Sequence, residues 1–491
     1  MKKVFVSLLV AAFVVSSAAY SFASELDFYG YYRAAFSLVD NNAGFVGGPV
    51  FDEDNDGDDF HAYQRVRQYF EYVTNENLKA VVGYEIDSGF GWGGGDFSAD
   101  RTNQVEIKRA HVEFNWPETD VNFRVGIQGF ALPGGAMGNP VLGGDMAGAI
   151  VSTPINDMIG LTAGWVRGID TDQIGDTGSS GGVDVALLSL PITGNGYSVN
   201  PYFVYAWQGE DAMSANANYV SGDLATASLP VAYGDSVTFT EEGDAWWLGF
   251  DYNLNMFDPI NISGQFVYGA SDAEADVWAD LNGNGLVDAD ETASGDVAER
   301  KGWYADFMVD YVMDNMTPSL FFLYSSGDDD DLGDGSETFP MLHNDGFIAP
   351  PVAGGFGFTG CQTSLSYAAN YSFAQYVPTG IWKLGFALKN FSFMDKLSHT
   401  IGLAYVQGTN DKEVGEFASA LGQGGGWLGV LMTDEDDAWE FGFRSEYGLY
   451  EALALTLDYE YASLDMDEDT WGDDYLDDAA QHVTLGVCYS F

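Results

Sequence analysis

The chain has 491 residues, with 74 Asp and Glu against 18 Lys and Arg, for a formal net charge of −56. So acidic a polymer repels nucleic acid and attracts cations. A hydrophobic content of 46% and an aromatic content of 15% exclude a disordered acidic chain.

Residues 1–23 read as a secretory signal peptide. Lys2 and Lys3 precede an apolar run from Val4 to Val15, and Ser21-Phe22-Ala23 offers a small-residue site for cleavage after Ala23. The run is about a dozen residues, short of the ~20 that a spanning helix needs. Residues 24–491 then form one exported unit with a charge of −56 − 2 = −58.

From there the chain repeats one pattern, segments of about ten residues alternating between apolar and polar. Leu26, Phe28, Tyr32, Ala34, Phe36 and Leu38 share a face, opposite Asp27, Tyr29, Tyr31, Arg33 and Ser37. Leu78, Ala80, Val82, Tyr84 and Ile86 repeat it against Lys79, Glu85 and Asp87. Trp246 to Leu254 and Trp303 to Tyr311 do so again, as do Leu453 to Tyr461. Apolar-out, polar-in alternation over one bilayer thickness predicts an all-β fold, a transmembrane antiparallel β-barrel. Counting segments gives eighteen strands, with sixteen as the alternative.

The connections alternate in kind. Asn75-Glu76-Asn77, Pro117 to Asp120 and Gly194-Asn195-Gly196 are turn-like, as periplasmic turns are. Asp40 to Asp59, Gly209 to Gly243, Ser271 to Glu299, Gly327 to Pro378, Gly408 to Asp437 and Asp465 to Ala479 are long and rich in acid and glycine, as extracellular loops are. Divalent cations bridging these acids to lipopolysaccharide phosphates would stiffen the outer surface. The closing strand places Val483, Leu485, Val487, Tyr489 and Phe491 on its apolar face. Tyr489 and Phe491 resemble the C-terminal signal read by the bacterial barrel-assembly machinery.

Basic residues are few and clustered. On the predicted strands Arg33, Arg65, Arg67, Lys79, Arg109 and Arg124 fall opposite the apolar set, in one sector of the lumenal wall. The connection that follows, Pro133 to Met146, reads PGGAMGNPVLGGDM and carries one acid, Asp145. The order FYGYYRAAF, VNFRVGIQGF and a Gly-rich loop after the fifth strand resembles the trimeric general porins of Gram-negative outer membranes. RVRQYFEYVTNENLKAVVGYEID and VEIKRAHVEFNWPETDVNFRVGIQ look closest to the porins of sulfate-reducing bacteria. The resemblance implies a homotrimer whose third loop folds inward to face a basic wall. The six basic residues would form that wall and Asp145 would sit on the loop; with one acid where that family usually places several, either the field is weaker or Glu85, Asp87 and Glu113 supply the rest.

A second motif, DLNGNGLVDADE, matches the oxygen-ligand spacing of a calcium loop. Asp280, Asn282, Asn284, the Leu286 carbonyl, Asp288 and Glu291 would be the ligands of one Ca2+, in a protein that otherwise requires no cofactor. The histidines His61, His111, His343, His399 and His482 fall in no nucleophile motif, so no enzyme is expected. The expectation is an outer-membrane porin passing small hydrophilic solutes and ions. The alternative is a substrate-specific channel for a sugar or an oxyanion, with Tyr29, Tyr31, Trp247 and Tyr304 facing the pore.

Overall fold

The computed structural model describes residues 25–40, 59–87, 104–135, 137–170, 182–208, 237–239, 243–272, 275–278, 292–295, 299–330, 335–340, 380–420, 432–471 and 479–491. The expected signal peptide and the six calcium-loop positions, Asp280 to Glu291, lie outside them.

Alternation turns these segments into one ring of antiparallel strands. In chain order these are β1 (Glu25–Asp40), β2 (Asp59–Asn75), β3 (Leu78–Asp87), β4 (Gln104–Asn115), β5 (Asn122–Ala131), β6 (Gly143–Pro154) and β7 (Gly160–Asp170). Gly182–Ser189 and Ile192–Gly194 both pair with the next strand and together make β8. Then follow β9 (Tyr197–Gln208), β10 (Gly243–Phe257), β11 (Ile260–Asp272), β12 (Arg300–Tyr311) and β13 (Thr317–Ser325). The ring continues through β14 (Ile381–Met394), β15 (Leu397–Gly408), β16 (Asp437–Tyr450), β17 (Leu453–Asp465) and β18 (Ala479–Ser490). Each strand pairs with its neighbour, and β1 also pairs with β18. The barrel therefore has eighteen strands and no open edge.

Eight connections of two to six residues lie at one end, and nine of eleven residues or more lie at the other. The three expected turns all fall at the short end. Most of the long acidic connections are outside the described residues. Val237–Phe239, Ala275–Trp278 and Thr292–Gly295 form a separate small sheet within two of them. Trp278 pairs with Thr292, so the calcium-like sequence joins two strands of a hairpin rather than two helices.

Side-chain direction follows the alternation. On β10 Leu248 and Phe250 are exposed, while Trp247, Gly249 and Asp251 are buried. Toward the long-connection end the outer face carries an aromatic belt. Trp246 meets Tyr268 at 5.6 Å, Trp303 stacks on Tyr324 at 4.3 Å, and Trp382, Tyr405 and Trp439 follow at 5.4 and 5.2 Å. The tryptophans and tyrosines of the belt do not continue onto β1–β5, where the outward residues at that end are Leu38, Phe60, Ile86, Val105 and Ala131.

Candidate functional site: a basic wall facing an inserted loop

The lumen has two unlike walls. On β1–β4 the inward positions carry the predicted cations, and register brings them together: Arg33 lies opposite Arg65, Arg67 opposite Glu85, and Gly83 opposite Arg109. Glu85 is the hub. Its carboxylate is 1% exposed, 3.3 Å from Arg65, in direct contact with Arg67, and 3.4 Å from the Lys108 ammonium. Three cations on one carboxylate leave local positive charge.

Lys108 is the residue that alternation misses. A β-bulge sits between the Gly83–Arg109 and Tyr84–Ile107 pairs, so β4 spends one extra residue there. Lys108 and Arg109 thereby both serve the lumen. Lys108 also lies 3.2 Å from Glu106 and 3.8 Å from Asp145, and Arg109 pairs directly with Asp145.

Asp145 itself departs from expectation. The strand after the loop begins at Gly143, so Asp145 stands on β6, paired with Gly129. It is bound to the basic wall rather than facing it across a gap. Glycine leaves room for this: a Cβ on Gly129 would stand 2.1 Å from the Arg109 guanidinium, so a larger residue would oblige the flexible arginine tip to shift.

The remaining two predicted cations form a separate group. Lys79 lies 3.3 Å from Glu71 and 3.7 Å from Glu113, and Arg124 lies 3.4 Å from the same Glu113. Lys79 is six residues from Glu85 along β3, about 20 Å at a strand's rise, toward the short turns. Here two cations meet two carboxylates. In the upper group, among the described side chains, five cations (Arg33, Arg65, Arg67, Lys108 and Arg109) lie with Glu85, Glu106 and Asp145. The predicted set of six therefore divides into a cationic upper cluster and a balanced lower one.

Aromatic rings line the upper cluster. Arg33 lies 4.1 Å and Arg67 5.8 Å from the Tyr31 ring, Arg109 lies 6.0 Å from Tyr69, and Tyr69 stacks on Tyr29 at 5.3 Å. Cation–π contacts hold the guanidinium groups without neutralising them.

The second wall is covered by the chain. Between β5 and β6, residues 132–135 and 137–142 turn into the barrel and bury Leu132, Met137, Val141 and Leu142. The Leu132 N–H donates to Leu142 O at 2.9 Å and closes the loop's neck. Asn139 accepts from Val141 and Leu142 N–H, and its amide donates to Pro133 O and to the Tyr202 hydroxyl at 3.0 Å. Gln265 donates to Gly138 O and to Asp306, whose carboxylate also accepts from Tyr304. These anchors lie on β9, β11 and β12. Gln265 on β11 is nine strands from Arg65 and Arg67 on β2, which in a ring of eighteen is the opposite side. The Gly-rich sequence allows the approach: a Cβ on Gly135 would come 2.5 Å from the Gly264 backbone.

Of the four expected pore aromatics, Trp247 and Tyr304 are fully buried beneath inserted chain, with Trp247 donating to Pro340 O at 2.8 Å. Only Tyr29 and Tyr31 stand by the basic wall. Two histidines have described side chains. His111 Nδ1 lies 3.1 Å from Ile127 O, and His399 stacks on Phe393 and Phe443.

No known family profile and no curated protein matches the chain. Solved structures do resemble it. OccAB4 of Acinetobacter baumannii superposes with a TM-score of 0.50 at 10% identity, covering 95% of this chain and 98% of that one. OccAB1 of the same organism does so with a TM-score of 0.50 at 12% identity, covering 95% and 97%. At such identities the shared property is the fold, an eighteen-strand closed barrel over nearly the whole of both chains.

Proposed function

We propose that the protein is a porin of the bacterial outer membrane, a passive diffusion channel for small hydrophilic solutes and ions. One observation carries the reading: the lumen is narrowed by residues 132–142 on one side and bears surplus positive charge on the other. A solute passing between them meets a narrow, low-dielectric neck, where field focusing is strongest. Three cations gathered on the one Glu85 carboxylate favour anions there, over the pull of the acidic loops at the mouth. Arg33, Arg65, Arg67, Lys108 and Arg109 are assigned to the constriction, with Asp145 as a partner that trims the charge. Lys79 and Arg124, in the balanced group, are assigned to bracing the wall. The chemistry supports a channel.

Planar-bilayer conductance under a KCl gradient tests this. Discrete steps with an anion-selective reversal potential are expected, and silence from a folded barrel would overturn it.

A substrate-specific channel is favoured by one feature, the rings of Tyr29, Tyr31 and Tyr69 beside three arginines. An oxyanion suits that wall better than a sugar. Saturable block of current by a single carboxylate would support it.

The proposal extends to a homotrimer. The outer face of β1–β5 lacks the tryptophans and tyrosines of the upper belt and presents Gln64 and Gln68. The Gln68 amide nitrogen is buried without a hydrogen-bond partner among the described residues. Lipid cannot satisfy amides; a second copy can. The likeness of two segments to porins of sulfate-reducing bacteria fits the same reading. The signal peptide, recognition of Tyr489 and Phe491 by the assembly machinery, contact with lipopolysaccharide and a Ca2+ at residues 280–291 complete the proposal on sequence grounds.

A further inference from the structure

Behind the inserted loop, register sets four polar side chains in one row along the inner wall. Asn200 on β9 lies opposite Asp251 on β10, Asp251 opposite Gln265 on β11, and Gln265 opposite Asp306 on β12. Paired residues share a face, with Cβ atoms about 5 Å apart. Asp251 is 6% and Gln265 2% exposed, so both are withdrawn from lumenal water.

The donors of this row are unevenly spent. Asn200 Nδ2 donates to Asp251 Oδ2 at 2.9 Å and is the one side-chain partner of Asp251 among the described residues. Gln265 Nε2 is divided between Gly138 O on the loop and Asp306 Oδ2, and the Tyr304 hydroxyl donates to that same Asp306 oxygen at 3.1 Å. Asp251 Oδ1 and Gln265 Oε1 are buried with no donor among the described residues. Turning the Gln265 amide over gives no relief, because its oxygen would then face the Gly138 carbonyl and the Asp306 carboxylate. An acceptor buried without a donor is costly, and a carboxylate without a counter-charge more so. Two such oxygens on directly paired residues call for one positive guest between them.

We propose that Asp251, Gln265 and Asp306 hold one calcium ion that fastens the inserted loop to the wall. Asp251 Oδ1 and Gln265 Oε1 are its first ligands, and Asp306 supplies the second negative charge from one strand further on. The loop comes down on this group at a glycine: a Cβ on Gly135 would stand 2.6 Å from Asp306 Oδ1. Carboxylate and amide oxygens in an uneven, enclosed set suit calcium, whereas magnesium demands a near-ideal octahedron and keeps several waters. Gln265 also binds Gly138 O, so the ion stiffens the same side chain that anchors the loop. Its effect on current rests on the channel reading; its binding does not.

Calcium content tests the site. The full chain, folded in detergent, is dialysed against about 1 mM radioactive Ca2+ in an Asp280→Asn, Glu291→Gln background that removes the loop sequence as a competing site. Asp251→Asn keeps the size and an acceptor for Asn200 but loses the charge, and should bind one ion fewer per chain. An unchanged count overturns the proposal and assigns the two oxygens to a shared proton or a water. If D251N fails to fold, crystals of the wild-type protein soaked in Mn2+ decide: an anomalous peak between Asp251 and Gln265 is expected, and its absence overturns the site. In planar bilayers, chelating calcium should raise the open-channel noise of wild type, and D251N should be noisy with or without calcium. Equal wild-type noise before and after chelation overturns the fastening role. Absence of steps under every condition overturns the channel reading, while the calcium count still judges the site.

Discussion

The Lys108 ammonium lies 3.4 Å from the Glu85 carboxylate, although simple alternation along β4 would turn that lysine away from the lumen. The bulge that redirects it adds a cation to the basic wall. Without Lys108, Glu85 would be shared by two arginines.

Reversing the charge of Arg65 and Arg67 should move selectivity toward cations. Each reversal changes the local interaction by on the order of 2 kcal/mol at about 4 Å in a water-like medium, or roughly thirty-fold in permeability ratio. The zero-current potential of the R65E/R67E protein in a KCl gradient reads this directly. An unmoved potential would place the selectivity elsewhere.

Glu85→Gln should act on two observables at once. The side chain is buried among three cations, and removing one partner of a buried ion network costs about 3 kcal/mol. The midpoint of heat-induced unfolding in detergent is expected to fall while anion preference rises. Lys79→Gln, in the balanced lower group, should leave the reversal potential where it is. The pair of variants separates the two clusters.

Asn139→Ala and Gln265→Ala each remove an anchor of the inserted loop. A buried hydrogen bond lost with its partner left in place costs about 1–3 kcal/mol, enough to let residues 132–142 swing from the wall. Larger and noisier conductance steps are the expected signature, without a change in the sign of selectivity.

The rim carries its own pH dependence. Asp436 accepts from the Thr433 N–H at 2.7 Å, the Thr433 hydroxyl, the Asp467 N–H and the Trp471 indole at 3.0 Å. Burial nevertheless outweighs these donors and raises its carboxyl. The neutral form is favoured in the fold, so this stabilising contribution is present at low pH and fades as pH rises past the ordinary carboxylate range. Asp436→Asn should flatten the pH dependence of amide exchange around Trp471. An unchanged profile would assign that dependence to another group.

Cysteines at Gln64 or Gln68 test the trimer. Three copies joined through the outer face of β1–β5 would bring these positions close to a neighbouring copy, and a bifunctional thiol reagent should give covalent dimers and trimers on denaturing gels. Cysteine at Leu248, on the exposed face of β10, should give none.

The barrel was legible in the sequence because its rule is local. A residue's face follows from its parity, and the pattern held on β1, β3, β10, β12 and β17 without knowledge of any partner strand. The eighteen strands and three of the turns came from that rule. It failed where the chain breaks parity: Lys108 sits at a bulge visible only in the pairing of two strands, and Asp145 falls on the wall because β6 starts at Gly143. Trp247 and Tyr304 were placed inward correctly, but nothing in their surroundings announces that residues 335–340 will cover them. The sixfold cation cluster was legible as a sector. Its division into charged and balanced halves depended on which acids register brings alongside.

The seam between β1 and β18 has a consequence for how the molecule is made. Phe491 exchanges both backbone hydrogen bonds with Gly30, and Ser37 meets Thr484 at 2.6 Å on the lumenal side. These contacts join positions more than 440 residues apart in sequence, the most non-local pairing that the chain makes. Until they form, the sheet has two raw edges, each a template for joining the wrong chain. Closure is therefore a late event that converts an aggregation-prone ribbon into a ring, and a lesion near residue 490 should betray itself as failed assembly long before it alters permeation.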